Sequence, residues 1–419
     1  MNAKAHLLGV AGMAMLLLAA CSKEEGQPAR SNDDLITFNT SVSRAENTTT
    51  QTLKSIQVYA DADGAPMFID GDVATKADNG FFTFATPQYW PTGINTVRFW
   101  AFGPTDIAGL TPKITADNQY FDYYTPASGT DNPGAKHRDL VVAYSSVDRN
   151  SATGTNVKLD FHHAMSRILV KAKSGSMDNT RLITIKGAWI VNPKASGQLA
   201  FDEAATTTSQ AKWTTKDDVA IYGLQLSEPN DLTPTSTTTL IGGSDNSDLL
   251  LIPQQTAKWN MTANGEADNA ATGAYILLLC RIEFKHPGEF HTSGGTTPGA
   301  IFTPTFPEGT PDKDKYHLHQ VFPDTDNYSK EEFGYTCVPI DIDWKPGYKY
   351  EYTLTFCGQN SGAGVYPPTP LDPSLPDGEP APDGKKPGDL VLNDPIQFEV
   401  SVSGWSDGTP DQDGDVNMN

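Results

Sequence analysis

The sequence predicts an all-β protein built as two antiparallel β-sandwiches in tandem. Three observations carry this prediction. Apolar and polar side chains alternate in short runs from end to end, which is the period of a half-buried strand. No run keeps helical periodicity over three turns. Turn formers are dense: 36 Gly and 30 Pro, with many Thr, Asn and Asp, punctuate the runs.

The elements follow in order. Residues 1–20 carry one charge, Lys4, ahead of an apolar run too short to span a membrane, and they read as an export signal. The run ends Leu18-Ala19-Ala20-Cys21, which resembles a bacterial lipobox, so the thiol of Cys21 is the expected acceptor of a diacylglyceryl group. Ser22-Lys23-Glu24-Glu25 then resembles the surface-export signal of Bacteroidetes lipoproteins. The first strand is 36–42, with Ile36, Phe38 and Val42 on one face. A Thr- and Asn-rich loop, 43–52, follows it. Further strands are expected at 56–60, 81–84, 96–102, 140–144, 157–161, 168–172 and 182–191, separated by Pro- and Gly-containing turns. Val97, Trp100 and Phe102 suggest that 96–102 is buried on both faces.

A polar stretch, 202–210, is read as the division between halves. Strands resume at 219–226, 249–253 and 275–284, where Ile276, Leu278, Cys280, Ile282 and Phe284 alternate with the residues between them. After a loop-rich insertion, 285–332, come 335–342 and 348–356, the latter with Tyr348, Tyr350, Tyr352, Leu354 and Phe356 inward. A Pro- and Gly-rich loop, 358–395, is expected to be flexible, and 396–402 is the last strand, with Ile396, Phe398, Val400 and Val402 inward. The chain thus divides into a signal (1–20), a lipidated propeptide with the first strand (21–44), an N-terminal sandwich (45–204), a C-terminal sandwich (205–405) and an acidic tail (406–419).

Charge and motifs narrow the function. A net charge of -21 excludes a partner that presents a phosphate backbone, so nucleic acid is not expected. Cys280, Cys337 and Cys357 lie in apolar runs with no partner two or three residues away, which excludes a zinc ribbon and favours small buried hydrophobes; whether any pair is bridged stays open. His162 and His163 are neighbours on a strand and point to opposite faces. His317 and His319 share a face, with His286 and His291 in reach. No carboxylate or thiolate completes a recognised spacing, so no metal or other cofactor is assigned. Residues 411–415 resemble a calcium loop, but the chain ends before its last ligand. No nucleophile elbow, zinc-protease motif or phosphate loop is present, and no enzyme is expected. Trp90, Trp100, Tyr123 and Tyr124 could stack on sugars, but core packing suits them better.

Several phrases, taken together and in order, resemble the fimbrillins of Bacteroidales, the subunits of type V pili. They are Cys21 followed by strand 36–42 and Ser43-Arg44-Ala45; Tyr89-Trp90-Pro91 leading into 97–104; Asp139-Leu140-Val141-Val142-Ala143; the run 159–168; Leu250-Leu251-Ile252-Pro253-Gln254-Gln255; and Trp344-Lys345-Pro346-Gly347-Tyr348-Lys349-Tyr350. The resemblance implies transthyretin-like sandwiches and a surface lipoprotein anchored in the outer membrane by its acyl chains. It also implies cleavage by an arginine-specific, trypsin-like protease and assembly with other pilin subunits by strand exchange. On this chain the cut falls between Arg44 and Ala45, because Arg44 is the only basic residue between the first strand and Lys54. Cleavage there would detach Ile36, Phe38 and Val42, opening a groove worth about 5–9 kcal/mol to a replacement strand. Strand 396–402 is the donor candidate. The alternative expectation is a permanently anchored lipoprotein that binds glycan or a host ligand through its loops.

Overall fold

The computed structural model describes residues 34–42, 52–62, 64–150, 156–205, 210–243, 248–261, 269–288, 301–392 and 394–404. Among these residues there is no α-helix; two short 3-10 turns, Pro133–Lys136 and Asp312–Asp314, interrupt a chain of strands. No helix among them is long and apolar enough to cross a membrane.

The N-terminal strands are β1 (Thr37–Val42), β2 (Ser55–Asp61), β3 (Ile69–Lys76), β4 (Phe82–Phe84) and β5 (Thr96–Gly103). They continue with β6 (Pro112–Ile114), β7 (Gln119–Tyr124), β8 (Val141–Asp148) and β9 (Asn156–His163). Seven of them close a barrel in the order β1-β4-β3-β2-β5-β8-β9. Its core holds Ile36, Phe38, Phe82, Phe84, Phe99 and Phe161. Phe38 meets Phe84 and Phe99 edge-on at ring-centroid distances of 5.5 and 5.8 Å, a geometry aromatic pairs prefer.

The remaining strands begin with β10 (Ser166–Ser174), β11 (Arg181–Lys194), β12 (Gly197–Phe201), β13 (Ala211–Thr215) and β14 (Val219–Asp231). Then come β15 (Thr238–Ile241), β16 (Leu249–Leu251), β17 (Gln254–Thr256), β18 (Tyr275–Pro287) and β19 (Ile301–Phe302). The last are β20 (Tyr316–Phe322), β21 (Gly334–Pro339), β22 (Ile342–Trp344), β23 (Tyr348–Phe356) and β24 (Gln397–Gly404). One sheet runs β15-β10-β23-β24, with β16 also on β10; the other runs β14-β11-β18-β20-β19, with β21 also on β18. Between them lies a second core of Ile168, Ile185, Ile276, Leu278, Tyr352 and Phe356, among others. Expected inward residues of β23 are buried from Tyr350 onward, whereas Tyr348 is exposed at the strand start.

Several expectations need correction. β10 and β11 were expected within the N-terminal sandwich, yet β10 pairs with β23 and β11 with β14 and β18. The boundary between the two cores therefore falls between β9 and β10, not near 204. β12 and β13, which flank the polar stretch 202–210, pair antiparallel with Phe201 opposite Ala211, so the two sides of that stretch belong to one sheet. Not every pairing is antiparallel: β1 runs parallel to β9, and β10 parallel to β23. The loop-rich insertion contains β20, which pairs with β18.

A third core joins the two halves. Trp100, Phe102, Phe121, Leu199, Phe201 and Leu250 pack in it, drawn from both sides of the β9–β10 boundary. Trp100 and Phe102 leave the barrel on the face opposite Phe99, which is why β5 is apolar on both faces. The small sheet β13-β12-β7-β6 covers this core.

Candidate strand-exchange site

The two elements singled out at the ends of the chain occupy different seats. β1 completes the barrel. On one side it runs parallel to β9 over its whole length, from Thr37 opposite Asn156 to Val42 opposite Phe161. On the other it touches β4, with Phe38 opposite Phe82. Just upstream the chain is stitched to the Tyr89-Trp90 segment: Ile36 N donates to Gln88 O at 2.8 Å and Trp90 N to Asp34 O at 2.8 Å. Ile36, Phe38 and Val42 are 1%, 0% and 7% exposed, so the face predicted to be apolar is the buried one. Asn39 and Ser41, on the opposite face, are exposed.

Polar contacts add a second layer of attachment. Arg149 pairs with Asp34, and the Ser41 hydroxyl donates to Asp160 on β9. Burial opposes ionisation of Asp160, yet its hydrogen bonds from Lys158 and Ser41 outweigh that and hold the carboxyl below its usual value. The sequence analysis missed these contacts, because nothing local indicates that β1 lies beside β9. Arg44, Ala45 and Cys21 lie outside the described residues. Val42, the last residue of β1, is the last described residue ahead of Arg44 in the chain.

β24 lies at a sheet edge. It pairs antiparallel with β23 from Thr355 opposite Gln397 to Tyr348 opposite Gly404. Ile396 is 4% exposed, while Phe398, Val400 and Val402 are half-buried against the second core. Gln397, Glu399 and Ser401 face solvent. An open groove of about 430 Å³ flanks the strand, lined by Trp259, Met261, Val338, Val365, Ile396 and Phe398 among others.

The segment before β24 is not the slack loop expected from its Pro and Gly content. Ala363, Val365, Tyr366 and Val391 are buried in it. Its backbone is tied down as well: Cys337 N donates to Val365 O, Val391 N to Gly364 O and Gly362 N to Pro395 O. Gly364 has φ +88, and a Cβ there would collide with Thr336 Oγ1 and the Cys337 carbonyl, so close approach demands glycine. Apolar side chains spaced among the turn residues explain the packing that composition concealed.

Other sequence candidates resolve into structure. Cys280, Cys337 and Cys357 are free and buried, and burial pushes all three thiols up, Cys357 to about 11. Trp90, Trp100 and Tyr124 are core residues; Tyr123 is exposed, with Lys216 Nζ 3.7 Å above its ring. His162 and His163 do face opposite ways: His163 is buried with Nδ1 2.9 Å from Asp139, whereas His162 is half-buried. Residues 411–415 and His291 lie outside the described residues.

The architecture is similar to that of a fimbrial protein from Bacteroides vulgatus ATCC 8482, at 14% identity and a TM-score of 0.47, covering 88% of this chain and 99% of that one. It is also similar to a candidate cell adhesion protein from Parabacteroides distasonis ATCC 8503, at 10% identity and a TM-score of 0.42, covering 89% and 100%. A candidate cell adhesion protein from Bacteroides ovatus ATCC 8483 has 12% identity and a TM-score of 0.38, covering 77% and 92%. No curated protein matches the chain. The fimbrillin-like family model matches residues 43–277, more than half of the sequence. The chain belongs to the fimbrillin-like family.

Proposed function

We propose that this chain is a structural subunit of a type V pilus that serves cell adhesion. In this reading it is exported as a lipoprotein through Cys21, cut between Arg44 and Ala45 by an arginine-specific protease, and joined to other pilin subunits by strand exchange. The observation that carries the reading is the seat of β1: a terminal strand closes the barrel with three buried apolar side chains, and Arg44 follows Val42 by two residues. Cutting there severs the strand from the domain it completes. The emptied seat exposes apolar surface and the unpaired edge of β9, both of which a foreign strand satisfies at once.

The sequence of β24 suits it to that seat. Residues 36–42 read Ile-Thr-Phe-Asn-Thr-Ser-Val and 396–402 read Ile-Gln-Phe-Glu-Val-Ser-Val. Ile, Phe and Val coincide at the three inward positions buried in β1, and Ser401 falls where Ser41 meets Asp160. A β24 from another subunit therefore brings the same side chains to the same pockets. Its own attachment is lighter than that of β1, because it has one strand neighbour and three half-buried apolar side chains.

Digestion with an arginine-specific protease tests the reading. The first cut is expected after Arg44, with the severed strand initially retained and then displaced by a peptide spanning 396–402. Arg44→Ala is expected to abolish assembly on the cell surface. Normal pili from Arg44→Ala, or a cut protein that neither loses its first strand nor takes the peptide, overturns the mechanism and leaves a permanently anchored lipoprotein.

A further inference from the structure

We propose that His286, His317 and His319 form a binding site for a divalent transition-metal cation of the zinc–copper class. The three are gathered by strand pairing. β18 and β20 run antiparallel with His286 directly opposite His317, and Phe284 opposite His319. His317 and His319 are two apart on β20, so their side chains leave the same face, and the cross-strand pairing brings His286 to that face. The three rings stand 5.5, 5.0 and 4.8 Å apart between centroids. One ligand nitrogen from each lies within 4.8 Å of the others.

The chemistry of the donor set points to the class of ion. Three neutral imidazoles favour zinc, copper or nickel over calcium and magnesium, which take oxygen ligands. Four-coordinate zinc holds nitrogen at about 2.0–2.1 Å, which places ligand atoms about 3.4 Å apart. Coordination would draw the three rings together by rotation about their side-chain bonds, from an exposed His286 and a buried His317. His317 is already oriented: its Nδ1 lies 3.1 Å from Gly288 O. A carbonyl only accepts, so Nδ1 carries the proton and Nε2 keeps its lone pair, the arrangement that second-shell carbonyls impose on metal-binding histidines.

Gly288 is placed to make that bond by its own backbone. Its φ of +89 turns the chain at the end of β18, and its N–H donates to Lys315 O at 2.7 Å. Three imidazole donors leave a coordination position on the exposed side for water or for a donor from a neighbouring molecule. Binding would also clamp the ends of β18 and β20 together and raise thermal stability.

The test is calorimetric titration of the protein, prepared without a histidine tag, with zinc chloride and copper(II) chloride in excess magnesium, which occupies carboxylate sites of this acidic chain. One equivalent of zinc is expected to bind and raise Tm, and bound copper(II) is expected to show nitrogen hyperfine structure in its EPR spectrum. His286→Gln, at an exposed position, is expected to weaken zinc at least about tenfold. His319→Gln should do the same, and Lys285→Gln should leave binding unchanged. Absence of saturable zinc binding, or a His286→Gln protein that binds like wild type while keeping its β-sheet circular dichroism, overturns the proposal.

Discussion

Phe38 shows how much of the barrel one side chain can hold. It is fully buried and touches two aromatic rings, and its pocket sits at the only strand the proposed cleavage would remove. Phe38→Ala is expected to lower barrel stability by about 3–5 kcal/mol, measurable by denaturant unfolding. Asn39→Asp, on the exposed face of the same strand, should stay within about 0.5 kcal/mol. A second residue-scale effect is electrostatic. Burial pushes the Tyr350 hydroxyl up to about 12 and raises Tyr352, whose hydroxyl accepts from Trp344 Nε1 at 3.0 Å. These folded-state values exceed the unfolded value of about 10, so the native state binds more protons in that window. Their contribution is complete below pH ~10 and is lost as pH rises toward the folded values. Absorbance titration of phenolate should therefore show a late fraction of tyrosines ionising together with alkaline unfolding. Simple titration of every tyrosine near 10 in a folded protein would contradict it.

At the scale of elements, β1 and β24 are near copies in sequence placed in unequal environments. β1 has strand neighbours on both sides and a closed seat, while β24 lies at an edge with its apolar face half covered. Local opening is cheapest where few apolar contacts and one ladder hold a segment. Hydrogen exchange read by mass spectrometry should find β24 amides exchanging before those of β23, and β1 protected like β9. Equal protection of β24 and β23 would argue that the last strand does not leave its own sheet readily. The alternation that marks both strands was legible from the residues alone. Their partners were not, because parallel pairing with β9 joins residues more than a hundred positions apart, and nothing in 36–42 encodes that neighbour.

The whole molecule is one body in the sense that matters for stability. The third core draws Trp100 and Phe121 from one side of the β9–β10 boundary and Leu199 and Leu250 from the other, so neither half can unfold without exposing it. Calorimetry should show a single cooperative transition, and Phe121→Ala should shift all of it downward. Two separated transitions, of which only one moves, would show that the cores are independent. Far-ultraviolet circular dichroism should show strand with little helix.

By itself the sequence determined the all-β class, the positions of the most strongly alternating strands and the inward faces of β1 and β23, because period and turn chemistry are local properties of a chain; the family came from the resemblance of its ordered phrases. It also marked Arg44 as the basic residue that follows the first strand. Only the tertiary structure decided where one core ends and the next begins, because β10 and β11 are apolar enough for either and their partners settle the matter. It revealed that 361–368 and Val391, within the expected loop 358–395, are packed into the cores, since a few buried side chains outweigh many turn residues. It also brought His286 of β18 beside His317 and His319, which lie together on β20 thirty-odd residues along the chain. Strand register is a long-range agreement between segments, and no window of neighbouring residues contains it.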